Sequence, residues 1–336
     1  MTEFLTYTSA QEIVETIEEI RTQLQEKGGI RNLYLLGCGG SLAGLYPLDY
    51  FMRSEAKNIS CRSMNANEFV YDTPKGCGEN SIVICMSLAG TTPETVAAAK
   101  KAEEVNATVI TMSLTTDCPL AQYGRYHWTY GSELRGNCSY QDVNLAKVLR
   151  FGMELLRIEE GYEKYEKGVA AFEVLDALCA KAKKQVSDRA VKFAEEHKDD
   201  AVIYTLASGA TYCAAYMQTI CMFMEMEWIH SGTIHAGELY HGPFEITDKN
   251  TPFFLFVNEG RTRFLDERAV RFLEKYSGRV TILDAKELGI CIIDPEVVDY
   301  FNPILLWSCA VEYTRALADA KKHPLLQRRY MFKVEY

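Results

Sequence analysis

Glu225 is a carboxylate set in an apolar run, Tyr212–Ile229, among Met217, Ile220, Cys221, Met222, Phe223, Met224, Met226 and Trp228. Ionising it there is costly unless it is paired, so its pKa tends upward. Such a group suits a general base. The same pattern also fits a buried glutamate bonded to backbone or to a subunit partner. On a helix through Ile229, the residues Cys221, Met222 and Ile229 share its face, while Glu227 points elsewhere and reads as structural. His230, His235 and His241 follow with Glu238. The segment Gly237-Glu238-Leu239-Tyr240-His241-Gly242-Pro243 reads as a loop, where His241 could exchange a proton near neutral pH. Zinc is disfavoured, because HExxH is absent and the spacing fits no common site. His127 and His323, beside aromatic or proline residues, take no role.

A second chemistry lies upstream. Leu33-Tyr34-Leu35-Leu36 runs into Gly37-Cys38-Gly39-Gly40-Ser41, and Ile82–Met86 runs into Ser87-Leu88-Ala89-Gly90-Thr91-Thr92. Glycines let backbone N–H groups converge on an anion, and a following helix N-terminus adds a favourable field. Ser41, Ser87 and Thr92 would add hydroxyls. Taken singly, each loop also fits a tight turn that needs a positive φ. As a pair at the carboxyl edge of one sheet they could meet on one phosphate. Neither GxGxxG nor GxxxxGK[ST] occurs, so the loops are neither a nicotinamide fingerprint nor a P-loop.

These residues need a scaffold. Ser9 and Glu12 form a capping-box pattern before Ile13, Val14, Ile17, Ile20 and Leu24, and Gly28-Gly29 ends that helix. Strands are expected at 32–36, 59–62, 81–86 and 108–112, with helices near 42–53, 92–104 and 141–159. Short continuous β-branched runs read as parallel strands covered on both faces. A Lys/Glu/Ala-rich helical stretch leads to a restart, with strands at 201–206, 252–257 and 279–283. The fold class is α/β, with two three-layer α/β/α units, each built on a mostly parallel sheet. The expected organisation is an N-terminal helix (1–28), a first domain (29–165), a helical connection (166–198), a second domain (199–325) and a C-terminal tail (326–336). The tail carries Arg328, Arg329, Tyr330, Phe332, Lys333 and Tyr336.

Composition narrows the function. The chain has 336 residues and a formal net charge of -10, which argues against nucleic acid as a partner. No signal peptide or run of apolar residues long enough for a membrane span occurs. The eleven cysteines form no CxxC, which points to a reducing cytoplasm rather than a disulfide scaffold.

Cys38-Gly39-Gly40-Ser41, Ser87 to Thr92, Met224-Glu225, Gly237–Pro243 and the terminal Arg328-Arg329-Tyr330 and Val334-Glu335-Tyr336 together carry a resemblance that covers nearly the whole chain. The sequence resembles the sugar isomerase (SIS) domain proteins with two SIS modules. More narrowly it is similar to the fructosamine (fructoselysine 6-phosphate) deglycases, which resemble the isomerase half of glucosamine 6-phosphate synthase. The resemblance implies hydrolysis of a phosphorylated Amadori compound without metal or other cofactor. It also implies a homodimer at least, with active sites at the interface.

The resemblance places Glu225 and His241 as catalytic. It assigns Gly39, Gly40, Ser41, Ser87, Thr92 and Glu238 to substrate binding, with Arg328 and Tyr330 as tail candidates at the amine side. There are departures from the synthase. Met222 stands where it has a lysine, Gln218 where it has a second glutamate, and Tyr330 where it has the lysine that reacts with the ketose carbonyl. Ala89 replaces a hydroxyl residue, a departure the deglycases share. A phosphosugar aldose–ketose isomerase, an amino-sugar phosphate deaminase and a non-catalytic sugar-phosphate sensor are the alternatives.

Overall fold

A computed structural model describes residues 7–136, 138–331 and 333–335. Phe332 and Tyr336 of the tail lie outside the described residues. The chain forms two compact units, Met1–Phe172 and Glu173–Tyr336.

The first unit starts with α1 (Ala10–Gln25), and its capping box is formed: Ser9 Oγ accepts from the Glu12 N–H, and the Glu12 carboxylate accepts from the Ser9 N–H at 2.6 Å. Five parallel strands follow, β1 (Asn32–Gly37), β2 (Ser60–Asn65), β3 (Ser81–Met86), β4 (Thr108–Ser113) and β5 (Tyr126–Thr129), in the order β2-β1-β3-β4-β5. The intervening helices are α2 (Gly40–Glu55), α3 (Ala66–Tyr71), α4 (Pro93–Glu104) and α5 (Asn144–Glu160).

Strand periodicity explains the layering. Tyr34, Leu36, Val83, Cys85 and Val109 form a core with Phe69 of α3 and Ala98, Ala99 and Ala102 of α4. The alternate residues Leu33, Leu35, Ile82, Ile84 and Met86 are buried as well, on the side where α2 packs on the sheet and on α5. All six residues of β3 are buried, as a strand covered on both faces must be. The short elements α3 and β5 carry no clear sequence signal. In β5, His127 is spent on structure: its ring nitrogens meet Thr111 Oγ1 at 2.8 Å and Ser113 Oγ at 3.1 Å.

The long helix α6 (Tyr165–His197) leads to the second sheet, which consists of β6 (Tyr204–Ala207), β7 (Thr233–His235), β8 (Phe253–Val257) and β9 (Val280–Asp284). Its order, β7-β6-β8-β9, is again all parallel. With α7 (Tyr212–Met217), α8 (Arg263–Tyr276) and α9 (Val298–Lys321) it repeats the pattern of the first unit. Phe253 and Leu255 pack with Ala269 and Leu273 of α8, while Phe254 faces the other way, towards Phe193, Phe223 and Tyr313. The α/β architecture with parallel sheets flanked by helices is as expected. Among the described residues no helix is long and apolar enough to cross a membrane.

The segment carrying Glu225 departs from expectation. After α7 the backbone continues from Gln218 to Met226 as a π-helix, and the Glu227 N–H donates to the carbonyl of Met222, five residues back, at 2.9 Å. The helix does not run through Ile229. Trp228 takes a left-handed φ of 59°, and the Ile229 N–H closes on the carbonyl of Phe223 at 2.8 Å. A π-turn holds more residues than an α-turn, so the three- and four-residue spacing read from the sequence does not define the face around Glu225.

Candidate active site

In the first unit the strand order reverses direction between β1 and β3. In sheets of this order ligands bind outside the carboxyl ends of the strands at that switch point. Both glycine–serine loops leave the sheet there. Gly39 is the N-cap of α2 at φ 55°, ψ −126°, a conformation open essentially to glycine alone. Gly37 is needed for a different reason: a Cβ on it would lie 2.9 Å from the backbone nitrogen of Leu42. Gly40 and Ser41 are the first residues of α2, and the Ser41 N–H donates to the Cys38 carbonyl at 3.1 Å. The Ser41 hydroxyl is half-buried and makes no hydrogen bond among the described residues.

The loop after β3 offers a second set of donors. Ser87 Oγ and Thr92 Oγ1 are 2.9 Å apart, with Ser87 buried and Thr92 the N-cap of α4. Thr92 makes no side-chain cap, so its hydroxyl is not spent on the helix. Gly90 takes φ 68°, where a Cβ would overlap the Cys118 sulfur. Among the described residues the N–H groups of Leu88, Ala89, Thr91 and Thr92 donate to no backbone carbonyl. Backbone N–H groups gathered in one turn beside two hydroxyls and a helix N-terminus suit a phosphate.

In the second unit Glu225 is half-buried, and its Oε1 lies 2.6 Å from Nη2 of Arg328. Burial pushes its pKa up, and the charge and hydrogen bond of Arg328 pull it partly back. The net effect is a carboxyl group less acidic than one on the surface. Threonines from the sheet support the π-helix beneath it. Thr219 Oγ1 bonds Thr205 at 2.6 Å and Thr233 at 2.8 Å, and the buried Gln218 amide donates to Thr314 of α9 at 3.2 Å.

Glu227 is structurally placed but not quiet. It is buried, neither carboxylate oxygen has a hydrogen-bond partner among the described residues, and Lys321 Nζ stands 3.9 Å away. Burial lifts its pKa to about 7, against the opposing charge of Lys321.

The histidine-rich stretch divides. His235 ends β7 and caps the turn that follows, its Nδ1 accepting from the Gly237 N–H at 3.1 Å. His241 and Glu238 are exposed. The His241 N–H bonds the Glu238 carbonyl at 2.9 Å, but neither side chain makes a hydrogen bond or ion pair among the described residues. Also among the described residues, no group of three or more His, Cys, Asp or Glu is placed to hold a metal ion.

Comparison with known proteins fits this geometry. The SIS domain model matches residues 29–132, which contain both glycine–serine loops. The fructosamine deglycase FrlB of Bacillus subtilis (strain 168) is 41% identical over 323 residues, covering 95% of this chain and 97% of that protein. The chain belongs to the fructosamine deglycase family. A fructoselysine 6-phosphate deglycase of Escherichia coli (strain K12) is a more distant relative, 21% identical over 78% of this chain and 76% of its own. A solved structure of a candidate phosphosugar isomerase from Salmonella typhimurium LT2 superposes with a TM-score of 0.91 at 41% identity, covering 96% of this chain and 99% of that one.

Within this deglycase family member the departures from the synthase pattern have local explanations. Gln218 is a buried hydrogen-bonding link to α9, and Met222 is core. Tyr330 is exposed, and Ala89 is one of the four loop residues whose N–H groups donate to no backbone carbonyl among the described residues. Two features escape a reading of the sequence. One is the π-helix, which has no composition signal. The other is the Arg328–Glu225 pair, which joins residues 103 positions apart (328 − 225). The sequence offers Arg328 as a tail candidate at the amine side, and in the structure its guanidinium pairs with Glu225.

Proposed function

We propose that this chain is a deglycase that cleaves a 6-phosphorylated Amadori compound, such as fructoselysine 6-phosphate, to glucose 6-phosphate and a free amino acid. The observation that carries the reading is Glu225, a half-buried carboxylate with a raised pKa at the end of a π-helix, in a chain of this family. Gly39, Gly40, Ser41, Ser87 and Thr92 hold the phosphate through N–H groups and hydroxyls. Glu225 takes a proton from C1 of the open-chain ketose, giving an enaminol. Reprotonation at C2 makes the C1 imine, and water adds to it, releasing the amine and leaving the aldehyde of glucose 6-phosphate. His241 moves a proton at the sugar oxygen or in ring opening, with Glu238 orienting groups beside it. Tyr330 and Arg328 place the tail at the amine side. The residue set requires no cofactor in any of these steps.

The working molecule is a homodimer at least, with His241 serving a site at the subunit interface. The exposure of the His241 and Glu238 side chains, without hydrogen-bond or ion-pair partners among the described residues, supports this. The cysteines, none of them in a CxxC, and the net charge of -10 support a cytoplasmic enzyme that binds no nucleic acid.

The test is an end-point assay of purified protein with fructoselysine 6-phosphate, following glucose 6-phosphate and lysine together. Equal release of both is the expected result. Phosphate-dependent binding without release of an amine would move the assignment to an isomerase or a sensor.

A further inference from the structure

Glu225 is the most consequential side chain in the second unit, and its charge partner comes from the tail beyond α9. Arg328 is itself nearly enclosed, with its side chain 11% exposed against 24% for Glu225. Its Nη1 donates to the carbonyl of Leu325 at 2.6 Å and to that of Gln327 at 3.1 Å, fixing the guanidinium to its own turn. Its Nη2 meets Glu225, and its buried Nε has no partner among the described residues. Burying an arginine with an unmet donor on an otherwise exposed tail is costly, and the ion pair with Glu225 is what offsets that cost. The next residue anchors the same segment: the Arg329 guanidinium stacks on Trp228 at 4.1 Å, and His323 meets the edge of that ring at 4.4 Å.

We propose that Arg328 is a positioning residue for Glu225, holding the carboxylate ionised and oriented, so that the tail sets the working state of the base. This rests on Glu225 being the base, as argued above.

No other charge faces Glu225 among the described residues. Among the described residues, Arg328 is the charged group that acts on it. The neighbouring charges are spent elsewhere: Lys321 of α9 on Glu227, and Arg329 on the face of Trp228. Removing Arg328 therefore leaves burial unopposed, and burial raises the carboxyl's pKa. A base that is protonated at higher pH is available over a narrower range. The acid limb of kcat/KM, which reports the free enzyme, must then move to higher pH. An opposite charge at this distance is worth about one to three pH units in an enclosed site, and the half-exposed setting points to the low end.

The experiment is the pH profile of kcat/KM for fructoselysine 6-phosphate in the wild type, Arg328→Gln and Arg328→Lys, with urea unfolding of each to confirm the fold. Arg328→Gln is expected to shift the acid limb upward by about one unit, which is roughly tenfold less activity on the acid side. Arg328→Lys keeps the charge without the fork, and is expected to restore most of the limb's position. A limb that stays in place in folded Arg328→Gln overturns the inference, as does a drop in activity that is uniform across pH. Glu225→Gln separates the two levels. If it is inactive and the limb does not move, the positioning role fails and the base stands. If it is active, the base assignment fails and the positioning role goes with it.

Discussion

The two sheets share the order of their first four strands, with a fifth strand in the first unit, and differ at their switch points. In the first unit, the loops after β1 and β3 present the hydroxyls of Ser41, Ser87 and Thr92 with glycine backbone and unspent N–H groups. In the second, the loops after β6 and β8 are filled by their own side chains. Gly209, at φ 54°, gives way to the Thr262 side chain, whose Oγ1 sits where a Cβ would fall. Asn258 Nδ2 bonds that oxygen at 3.0 Å and the Asp266 carboxylate at 2.5 Å, and Ser208 Oγ donates to the Thr262 carbonyl at 3.2 Å. Asp266 is buried, and burial lifts its pKa to about 6 against the hydrogen bonds of Ser208 and Asn258. A buried carboxylate repels a phosphate. The same fold thus makes an anion cradle in one unit and a closed polar plug in the other. The proposed base of the second unit, Glu225, lies instead on the π-helix, paired with Arg328 of the tail.

Substitutions on each side would break or sharpen that contrast. The largest expected effect is at Glu225, where Gln should lower kcat about 10²- to 10⁴-fold while sugar-phosphate binding, read by calorimetry, persists. Next come the cradle hydroxyls. Ser41→Ala and Ser87→Ala each remove a hydrogen bond to a charged group, worth about 1.5–3 kcal/mol, so KM should rise roughly 10- to 100-fold. Their counterpart Ser208→Ala should leave KM unchanged, and a KM shift there would erase the distinction between the two loops.

Gly209→Ala should act on stability alone. Positive φ and overlap with Thr262 predict a loss of about 1–3 kcal/mol in urea unfolding. The smallest effect is electrostatic. Asp266 holds its proton more tightly when folded than when unfolded, so its contribution is fully present below about pH 4 and is lost as pH rises through about 6. Asp266→Asn should flatten the dependence of melting temperature on pH across that window, and an unchanged slope would show that Asp266 is not the group responsible.

Much of the fold is legible in the sequence, for identifiable reasons. β3 falls at 81–86 as its pattern predicts, and β1, β4, β8 and β9 fall within a residue or so at each end, because continuous β-branched runs bounded by glycine or turn residues have few other solutions. Ser9 and Glu12 mark the start of α1 because a capping box is a local interaction. β5 is not legible because Tyr126–Thr129 is a short edge strand with a histidine in it, and only its partners Thr111 and Ser113 show why it is there. The face of Glu225 is misread because α and π turns have the same composition. That choice is made by threonine contacts from two strands and by the turn at Trp228.

The alternation of strands and helices, the two glycine–serine loops and a carboxylate in an apolar run are all written in the local sequence. Each of these depends on residues close to one another along the chain. The tertiary structure alone decided which glycine loop stays open, since Thr262 fills the second from 53 residues away (262 − 209). It also decided the partner of Glu225, since Arg328 reaches it only after α9 has run its course. Burial and ion pairing are properties of neighbours in space. No local pattern encodes which distant charge will offset the cost of enclosing a carboxylate.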